Sequence, residues 1–113
     1  AGYLLVAGNH QDHPHPPGAP PAQWQKRFYG GGDPGRGVHV HLREIGSAGW
    51  KFALAFRDWL RAEPRAREED AVLKRELAAR HPVTRDYSAA KEPWFDTAYL
   101  RVQEWAREVR WTP

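Results

Sequence analysis

The chain of 113 residues contains neither cysteine nor methionine. Without cysteine the chain cannot build a disulfide framework, a thiolate nucleophile or a thiolate zinc site, and a reducing cytoplasm is its simplest compartment. The sequence also lacks any apolar run near the roughly 20 residues that a membrane-spanning helix needs. Its first residues lack the basic-then-apolar pattern of a signal peptide. We therefore expect a cytoplasmic protein with no membrane partner.

The length and the charge balance predict one mildly basic domain, residues 1–113. This length suffices for a single core but lies near the lower end of the usual domain size. Because the first residues, AGYLLVAG, include no initiator methionine, we expect a part of a longer chain. The 17 basic residues exceed the 14 acidic ones, which suits phosphate-bearing ligands. Nucleic-acid binding is not expected, because basic and aromatic residues do not alternate as a stacking surface requires.

The central feature of the sequence is a hairpin over residues 26–46. Its second strand, expected over residues 38–45, alternates apolar residues with His39, His41 and Arg43. This alternation predicts a strand with one packed face and one polar face. The polar face could be a solvated surface or the floor of an anion site.

The rest of the predicted sheet consists of two shorter segments. A partner strand is expected over residues 26–29, and the glycine-rich residues 30–35 are expected to form the turn. This turn is not a phosphate-binding loop, because no Gly-Lys-Ser/Thr follows it and the next element is a strand instead of a helix. A further short strand is expected over residues 2–7.

Residues 8–23 are rich in proline and histidine and predict a flexible loop, because proline recurs too often for a helix or a central strand. Three histidines, His10, His13 and His15, have spacings that could collect a metal ion, and Asp12 would add an oxygen ligand. The alternative is a solvated loop that binds nothing. We favour the alternative and predict no metal site, because metal-binding histidines need fixed partners that a flexible loop supplies poorly.

Three helical segments follow the hairpin. The first, residues 48–63, has an apolar sector that is expected to pack on the sheet. The second, residues 65–80, has only a narrow apolar stripe and is expected to face solvent. The third, residues 84–109, is expected to break or kink at Pro93. The six tryptophans of the chain predict large apolar faces that form the core and domain contacts.

Three segments in this order carry a resemblance to a known family: KRFYGGGDPGRGVHVHLREIGS, FALAFRDWLRAEP and YSAAKEPWFDTAYLRVQEWA. Together they resemble the C-terminal half of the GrpB-like family, whose members occur alone or fused behind the kinase domain of actinobacterial dephospho-CoA kinases. The resemblance covers nearly everything from Trp24 onward. It is closer to the fused form, because the segments DPGR, AKEPWF and EWAREVRWTP are similar to that group's tail.

The resemblance implies an α+β, nucleotidyltransferase-like fold, in which a small mixed or antiparallel sheet with a hairpin is packed by about three C-terminal helices. It also implies that an upstream Gly-Ser turn and a strand with paired acidic residues would hold metal and nucleotide. Both lie outside these residues, so the domain is expected to be incomplete. The implied partners are the upstream part of the same domain and a kinase domain. No cofactor is expected in this chain, although ATP and Mg²⁺ would serve the parent protein.

The recurrent polar positions of the family correspond here to five residues that can bind an anion: Arg27, His39, His41, Arg57 and Lys91. We expect these residues to meet on the polar face of the hairpin and to form a weak site for phosphate or nucleotide, with no catalytic residue. The alternative is an ion-pair network in which carboxylates neutralise the cations. The resemblance also puts His39 or His41 where active nucleotidyltransferases carry a carboxylate, which disfavours a hard divalent cation.

Three functions are compatible with these observations. The first is a non-catalytic accessory domain of a dephospho-CoA kinase, in which a P-loop domain outside this chain phosphorylates dephospho-CoA with ATP. The second is a stand-alone nucleotidyltransferase-like protein that binds a nucleotide or phosphate. The third is a structural protein-contact module, suggested by the tryptophan-rich last helix.

Overall fold

The structure is a computed structural model that describes residues 3–32 and 37–113. Its described elements are β1 (Leu4–Leu5), β2 (Lys26–Gly32), β3 (Gly37–Arg43), α1 (Ala48–Ala62), α2 (Pro64–Arg80) and α3 (Thr84–Val109). A 3-10 turn over Pro21–Trp24 precedes β2. The predicted α+β class is confirmed. None of the described helices is long and apolar enough to cross a membrane.

The three described strands form one antiparallel sheet in the order β1-β2-β3. Strand β1 is shorter than predicted, and β2 continues through Gly32 beyond its predicted end. The remainder of the predicted turn, residues 33–35, lies outside the described residues, as does Gly2. The ring of Tyr3 crosses Gly31 so closely that a Cβ there would lie 2.5 Å from it. Glycine at this position therefore lets β1 approach β2.

The local signals at the starts of α1 and α2 explain why these helices begin where they do. The Ser47 side chain accepts a hydrogen bond from the Trp50 backbone N–H at 3.2 Å, as expected for a helix cap. Pro64 occupies the first position of α2, where the missing N–H would have no helical partner. The α1 helix ends at Ala62, one residue before the predicted end.

A break at Pro93 is wrong, because α3 continues through it, whereas a kink there stays a prediction. Proline removes one hydrogen bond from the helix, but the residues that follow it pack on α1. The Phe95 ring lies 5.3 Å from that of Phe56, and the Trp94 ring lies 6.0 Å from the same ring. Tertiary packing of an aromatic face therefore outweighs the local cost of proline.

The hydrophobic core lies among the helices and includes one residue that precedes them. Its buried members are Trp24, Phe52, Ala55, Trp59, Ala66, Ala98 and Val102. No strand residue in the described part of the chain is buried. The prediction that α1 packs on the sheet is therefore wrong: α1 packs on α2 and α3, and Trp24 connects this core to the hairpin. The aromatic side chains Trp94 and Phe95 of α3 give α1 an apolar packing partner.

Helix α2 is mostly exposed, as its narrow apolar stripe predicts, but it buries one carboxylate. Asp70 is 8% exposed. Its Oδ2 lies 2.9 Å from the Lys74 Nζ one turn later. The ion pair compensates the carboxylate for the hydration that it loses.

The C-terminal cap of α3 supports a first prediction. Arg110 adopts the left-handed conformation (φ 55°, ψ 46°) that glycine favours, and the following Trp111 N–H donates to the Ala106 carbonyl at 2.8 Å. Arg110→Gly is expected to raise the free energy of unfolding by about 1 kcal/mol, because it relieves the Cβ clash of this conformation. The measurement is denaturant unfolding followed by tryptophan fluorescence.

The matched control for this prediction is Arg107→Gly, inside the last turn of α3. It is expected to lower the free energy of unfolding by about 1 kcal/mol, because glycine is unfavourable in a helix interior. A loss of stability in both variants would contradict the proposed cap.

Candidate functional site

The register of β2 and β3 divides the hairpin side chains between two faces. Directly opposed residues of an antiparallel pair share a face. The side chains on the polar face are those of Lys26, Phe28, His39, His41 and Arg43. Arg27 pairs with Leu42 and therefore lies on the opposite face. The prediction that Arg27 lies beside His41 is wrong, because a shift of one residue along a strand moves a side chain to the other face.

Arg57 lies on the exposed side of α1 and not on the hairpin. Its Nε donates a hydrogen bond to the Asp58 Oδ1 at 2.9 Å. The Asp58 Oδ2 accepts a second hydrogen bond from the Trp111 indole N–H at 2.9 Å. The hydrogen bond from Arg57, followed by that from Trp111, lowers the pKa of Asp58. Arg57 therefore takes part in a contact between α1 and the C-terminus.

Lys91 lies on α3 among aromatic rings. Its Nζ is 4.8 Å from the Tyr87 ring centre and 5.5 Å from the Phe95 ring centre. Burial, followed by the nearby charge of Lys74, lowers the pKa of Lys91. Across residues 3–32 and 37–113, no hydrogen bond or ion pair joins Lys91 or Arg57 to the hairpin histidines. The five predicted residues therefore do not converge on one site, and anion binding by any one of them stays a prediction.

An ion cluster at one end of the polar face joins residues 8–23, which we call the proline-rich segment, to both β2 and β3. The Asp12 carboxylate accepts hydrogen bonds from Arg43 Nε at 2.7 Å and Nη2 at 3.2 Å, and its Oδ1 lies 2.9 Å from the Lys26 Nζ. Burial alone would raise the pKa of Asp12, but the hydrogen bonds from Arg43 and Lys26 outweigh it and lower the pKa. This cluster is an ion-pair network of the kind that the alternative interpretation predicts, although with different cations.

The polar face also perturbs His41, whose ring centre lies 4.8 Å from that of Phe28. Partial burial, followed by the positive charges of Lys26 and Arg43, lowers the pKa of His41 to about 4. His41 is therefore neutral at neutral pH and supplies no positive charge for an anion. Both histidines keep a large exposed fraction, and the His39 ring lies 5.1 Å from the same Phe28 ring.

The lowered pKa of His41 predicts a loss of stability in acid. In the unfolded chain this histidine binds a proton near its ordinary value of 6.5, whereas in the folded chain it binds one only near pH 4. Between these values the unfolded state holds more protons, so stability falls as the pH falls. His41→Asn is expected to flatten this part of the stability curve, and His39→Asn is the matched control. An unchanged slope in His41→Asn, measured by denaturant unfolding from pH 7 to 4, would refute the assignment.

An open groove of about 650 Å³ lies beside the proline-rich segment, at the end of the hairpin where β2 begins and β3 ends. Its lining residues are His10, Ala22, Gln25, Lys26, Arg27, Leu42, Arg43, Glu44 and Ser47. Asp12 neutralises part of the charge of Lys26 and Arg43, and Glu44 adds a negative charge. The groove can therefore attract a small anion only weakly, with Arg27 as the predicted site residue that lines it.

A second cluster joins the proline-rich segment to α3 and consists of His13, His15, Glu92 and Asp96. The His15 Nδ1 lies 2.8 Å from the Asp96 Oδ1, and the His13 Nε2 lies 3.3 Å from the same oxygen. The His13 Nδ1 lies 3.8 Å from the Glu92 Oε2. Glu92 and Asp96 are four residues apart on α3 and so share one side of the helix.

The interpretation of all three histidines as solvated is wrong for His15, whose side chain is only 5% exposed. Its ring lies 5.3 Å from that of Trp24, 5.1 Å from that of Phe52 and 5.6 Å from that of Tyr99. This aromatic site buries the imidazole, and Asp96 provides its hydrogen-bond partner. The flexibility expected for residues 8–23 stays a prediction.

The ligand set considered from the sequence does not assemble. Asp12 is occupied by its two cations, and His10 is exposed with its carbonyl accepting a hydrogen bond from the Lys26 N–H. Sequence reasoning missed Asp96, which is 81 residues from His15 in the chain. The only local signal was the spacing of Glu92 and Asp96 on a helix.

The face of the sheet opposite the polar face carries apolar side chains besides that of Arg27, and we call it the apolar face. Its apolar side chains are those of Tyr3, Leu5, Tyr29, Val38, Val40 and Leu42. Tyr3 is 57%, Leu5 60% and Leu42 51% exposed. Tyr29, Val38 and Val40 are partly buried, so the described part of the chain leaves Tyr3, Leu5 and Leu42 as the largely uncovered members of this face. Exposed apolar side chains that share one sheet face are typical of protein contacts, ligand grooves and membrane contacts alike.

Comparison with known proteins assigns the chain to a family. The model of the GrpB protein family matches residues 1–101. A dephospho-CoA kinase of Mycolicibacterium paratuberculosis is 46% identical over 94 residues, which are 82% of this chain and 23% of that protein. The dephospho-CoA kinase of Mycobacterium leprae is 42% identical over 93 residues, 80% of this chain and 22% of that protein.

The chain is also similar to a protein that is not named as a dephospho-CoA kinase. The UPF0157 protein YqkA of Bacillus subtilis is 39% identical over 83 residues, 73% of this chain and 24% of that protein. The chain therefore spans less than a quarter of the length of these curated relatives. The resemblance expected from the three sequence segments is confirmed. Since the family model matches most of its length, the chain belongs to the GrpB family.

Proposed function

We propose that this chain is the accessory GrpB domain of a dephospho-CoA kinase and is not itself catalytic. In this proposal a P-loop domain elsewhere in a cytoplasmic parent protein phosphorylates the ribose 3′-hydroxyl of dephospho-CoA, with ATP and Mg²⁺. The GrpB domain helps that protein to fold or assemble. The observation that supports the proposal most directly is the 46% identity to a dephospho-CoA kinase over a segment that makes up only 23% of it.

The chemistry of the polar face supports a non-catalytic role. Nucleotidyl transfer uses divalent cations, which prefer oxygen ligands. The side chains described on this face include no carboxylate, and the nearby Asp12 is held by Lys26 and Arg43. His41, with its pKa of about 4, is a neutral imidazole at neutral pH.

The apolar face supports a role in contacts within the parent protein. We take its occupant to be the upstream part of the same domain, which would complete a nucleotidyltransferase-like fold and pair with the short edge strand β1. An uncovered apolar sheet with an open edge is a liability in solution, so a protein that carries one benefits from covering it. The kinase domain would then contact the completed domain.

Deletion of this 113-residue segment from the full-length protein tests this proposal. We expect lower soluble yield and a lower thermal midpoint, whereas kcat per folded molecule should change by less than about threefold, since the kinase reaction belongs to the other domain. The matched control is the double variant His39→Ala with His41→Ala in the full-length protein, which should leave kcat of the kinase reaction unchanged. A well-folded deletion protein that has lost kcat by about 100-fold, or nucleotidyl transfer by the GrpB domain, would refute the proposal.

A second candidate function is weak binding of a nucleotide or phosphate, favoured by the cations of the open groove. The test is titration of ATP, dephospho-CoA and phosphate against the full-length protein at two salt concentrations. If the groove binds the ligand, Arg27→Ala weakens binding at low salt, whereas the control Arg57→Ala, which lies away from the groove, does not. We expect both variants to bind these ligands with the same affinity, and this result would favour the accessory role.

A further inference from the structure

We propose that His13, His15 and Asp96 bind one zinc ion, which fastens the proline-rich segment to α3. This inference does not depend on the proposed function, because it concerns only contacts within this chain. The three residues present their donor atoms within 4.8 Å of one another. They come from two distant parts of the sequence, so an ion bound by all three would join those parts.

The two donor separations from Asp96 suit a single small cation. The two histidine nitrogens lie within 4.8 Å of each other and would have to be about 3.3 Å apart in the bound state. Zinc bonds of about 2.0–2.2 Å in a tetrahedral site place neighbouring donor atoms about 3.3 Å apart. The His13 Nε2 and the His15 Nδ1 lie 3.3 and 2.8 Å from the Asp96 Oδ1. Binding would replace the proton shared by His15 and Asp96 with the metal and would widen that separation by a few tenths of an ångström.

The donor set selects the class of metal. Two imidazole nitrogens and one carboxylate oxygen favour Zn²⁺ and disfavour Mg²⁺ and Ca²⁺, which prefer sets made of oxygen alone. The His13 side chain is 39% exposed, so one side of the cluster faces solvent. This side offers an entry path and room for water to complete a four-coordinate site.

The surroundings of the cluster fix its ligands in place. His15 packs against the rings of Trp24, Phe52 and Tyr99, whose centres lie 5.1 to 5.6 Å from its own. The Glu92 carboxylate lies 3.8 Å from the His13 Nδ1, the nitrogen that would face away from the metal. A carboxylate behind a metal-binding histidine orients the ring and raises its basicity. The objection that a proline-rich loop lacks fixed partners therefore does not apply to these two histidines.

The intact protein that carries this chain, stripped of metal with a chelator, tests this inference. We expect calorimetric titration with ZnCl₂ to show a site that Asp96→Asn and His13→Asn each weaken by at least about tenfold. Both variants keep a polar side chain of similar size, and both positions are partly exposed. Substitution of His15 is unsuitable as the deciding variant, because its ring is part of the packed aromatic cluster.

Two further measurements make the assignment specific. Co²⁺ should give the strong visible absorption of a tetrahedral nitrogen and oxygen site, and this signal should disappear in Asp96→Asn. Glu92→Gln should weaken zinc binding by about tenfold, whereas His10→Asn, in the same segment but outside the cluster, should not change it. Zinc affinity equal in the wild type and Asp96→Asn, or no zinc binding by the wild type, would overturn the proposal and leave a hydrogen-bonded histidine-aspartate pair.

Discussion

The isolated chain of 113 residues is expected to self-associate, and the double variant Leu5→Lys with Leu42→Glu is expected to be monomeric. Both leucines lie on the apolar face and are at least half exposed. In the isolated chain this face can be removed from water only by another molecule, and the two-residue edge strand β1 also offers unpaired backbone groups. Opposite charges on the variant face keep the net charge unchanged. Sedimentation velocity at several concentrations is the measurement.

The control for this experiment is Leu100→Lys. Leu100 is 61% exposed, on α3, and lies away from the sheet. Its substitution is expected to leave self-association unchanged. A monomeric wild-type chain with a sharp two-state thermal transition would contradict the account, because it would show that the apolar face needs no partner.

Trp24→Ala is expected to destabilise the domain by about 3 to 5 kcal/mol, the usual cost of removing a buried aromatic side chain. Trp24 is 2% exposed and is the core residue that lies next to β2 in the sequence. Its ring contacts those of Phe52 on α1 and Tyr99 on α3, at 5.9 and 6.2 Å. Its loss should also detach the hairpin from the helices.

Hydrogen exchange separates these two consequences. In Trp24→Ala, the amides of β2 and β3 should exchange faster by a larger factor than those of α1. The matched control is Trp105→Ala, a partly buried tryptophan within the helical layer, which should accelerate exchange mainly in the helices. Equal acceleration of the hairpin and α1 in both variants would contradict the linking role of Trp24.

The elements of this fold were predictable from local signals. The alternation around His39 and His41 predicted a strand, and Ser47 predicted the start of α1, because both signals act between near neighbours in the chain. The order of strands followed by helices came from the same reasoning. Local signals could not predict which element packs on the apolar side of each helix or strand. The apolar sector of α1 suits a sheet and a helix equally well, and the structure packs it on α2 and α3.

The candidate site was harder to predict, because it depends on register and on distant contacts. The face on which Arg27 lies depends on the register between β2 and β3, because a shift of one residue moves its side chain to the other face. The contact of His15 with Asp96 spans 81 residues. No periodicity in either segment indicates it. The sequence contained the residues of both clusters, but only the three-dimensional structure shows which of them meet.

The most direct test of the central claim, that this domain acts through a covered apolar face, is hydroxyl-radical footprinting of the full-length protein. Leu5, Leu42 and Leu100 have the same chemistry and are 60%, 51% and 61% exposed in this chain. We expect Leu100 to be labelled rapidly, and Leu5 and Leu42 to be protected by the upstream part of the domain. Equal labelling of all three leucines would contradict this claim.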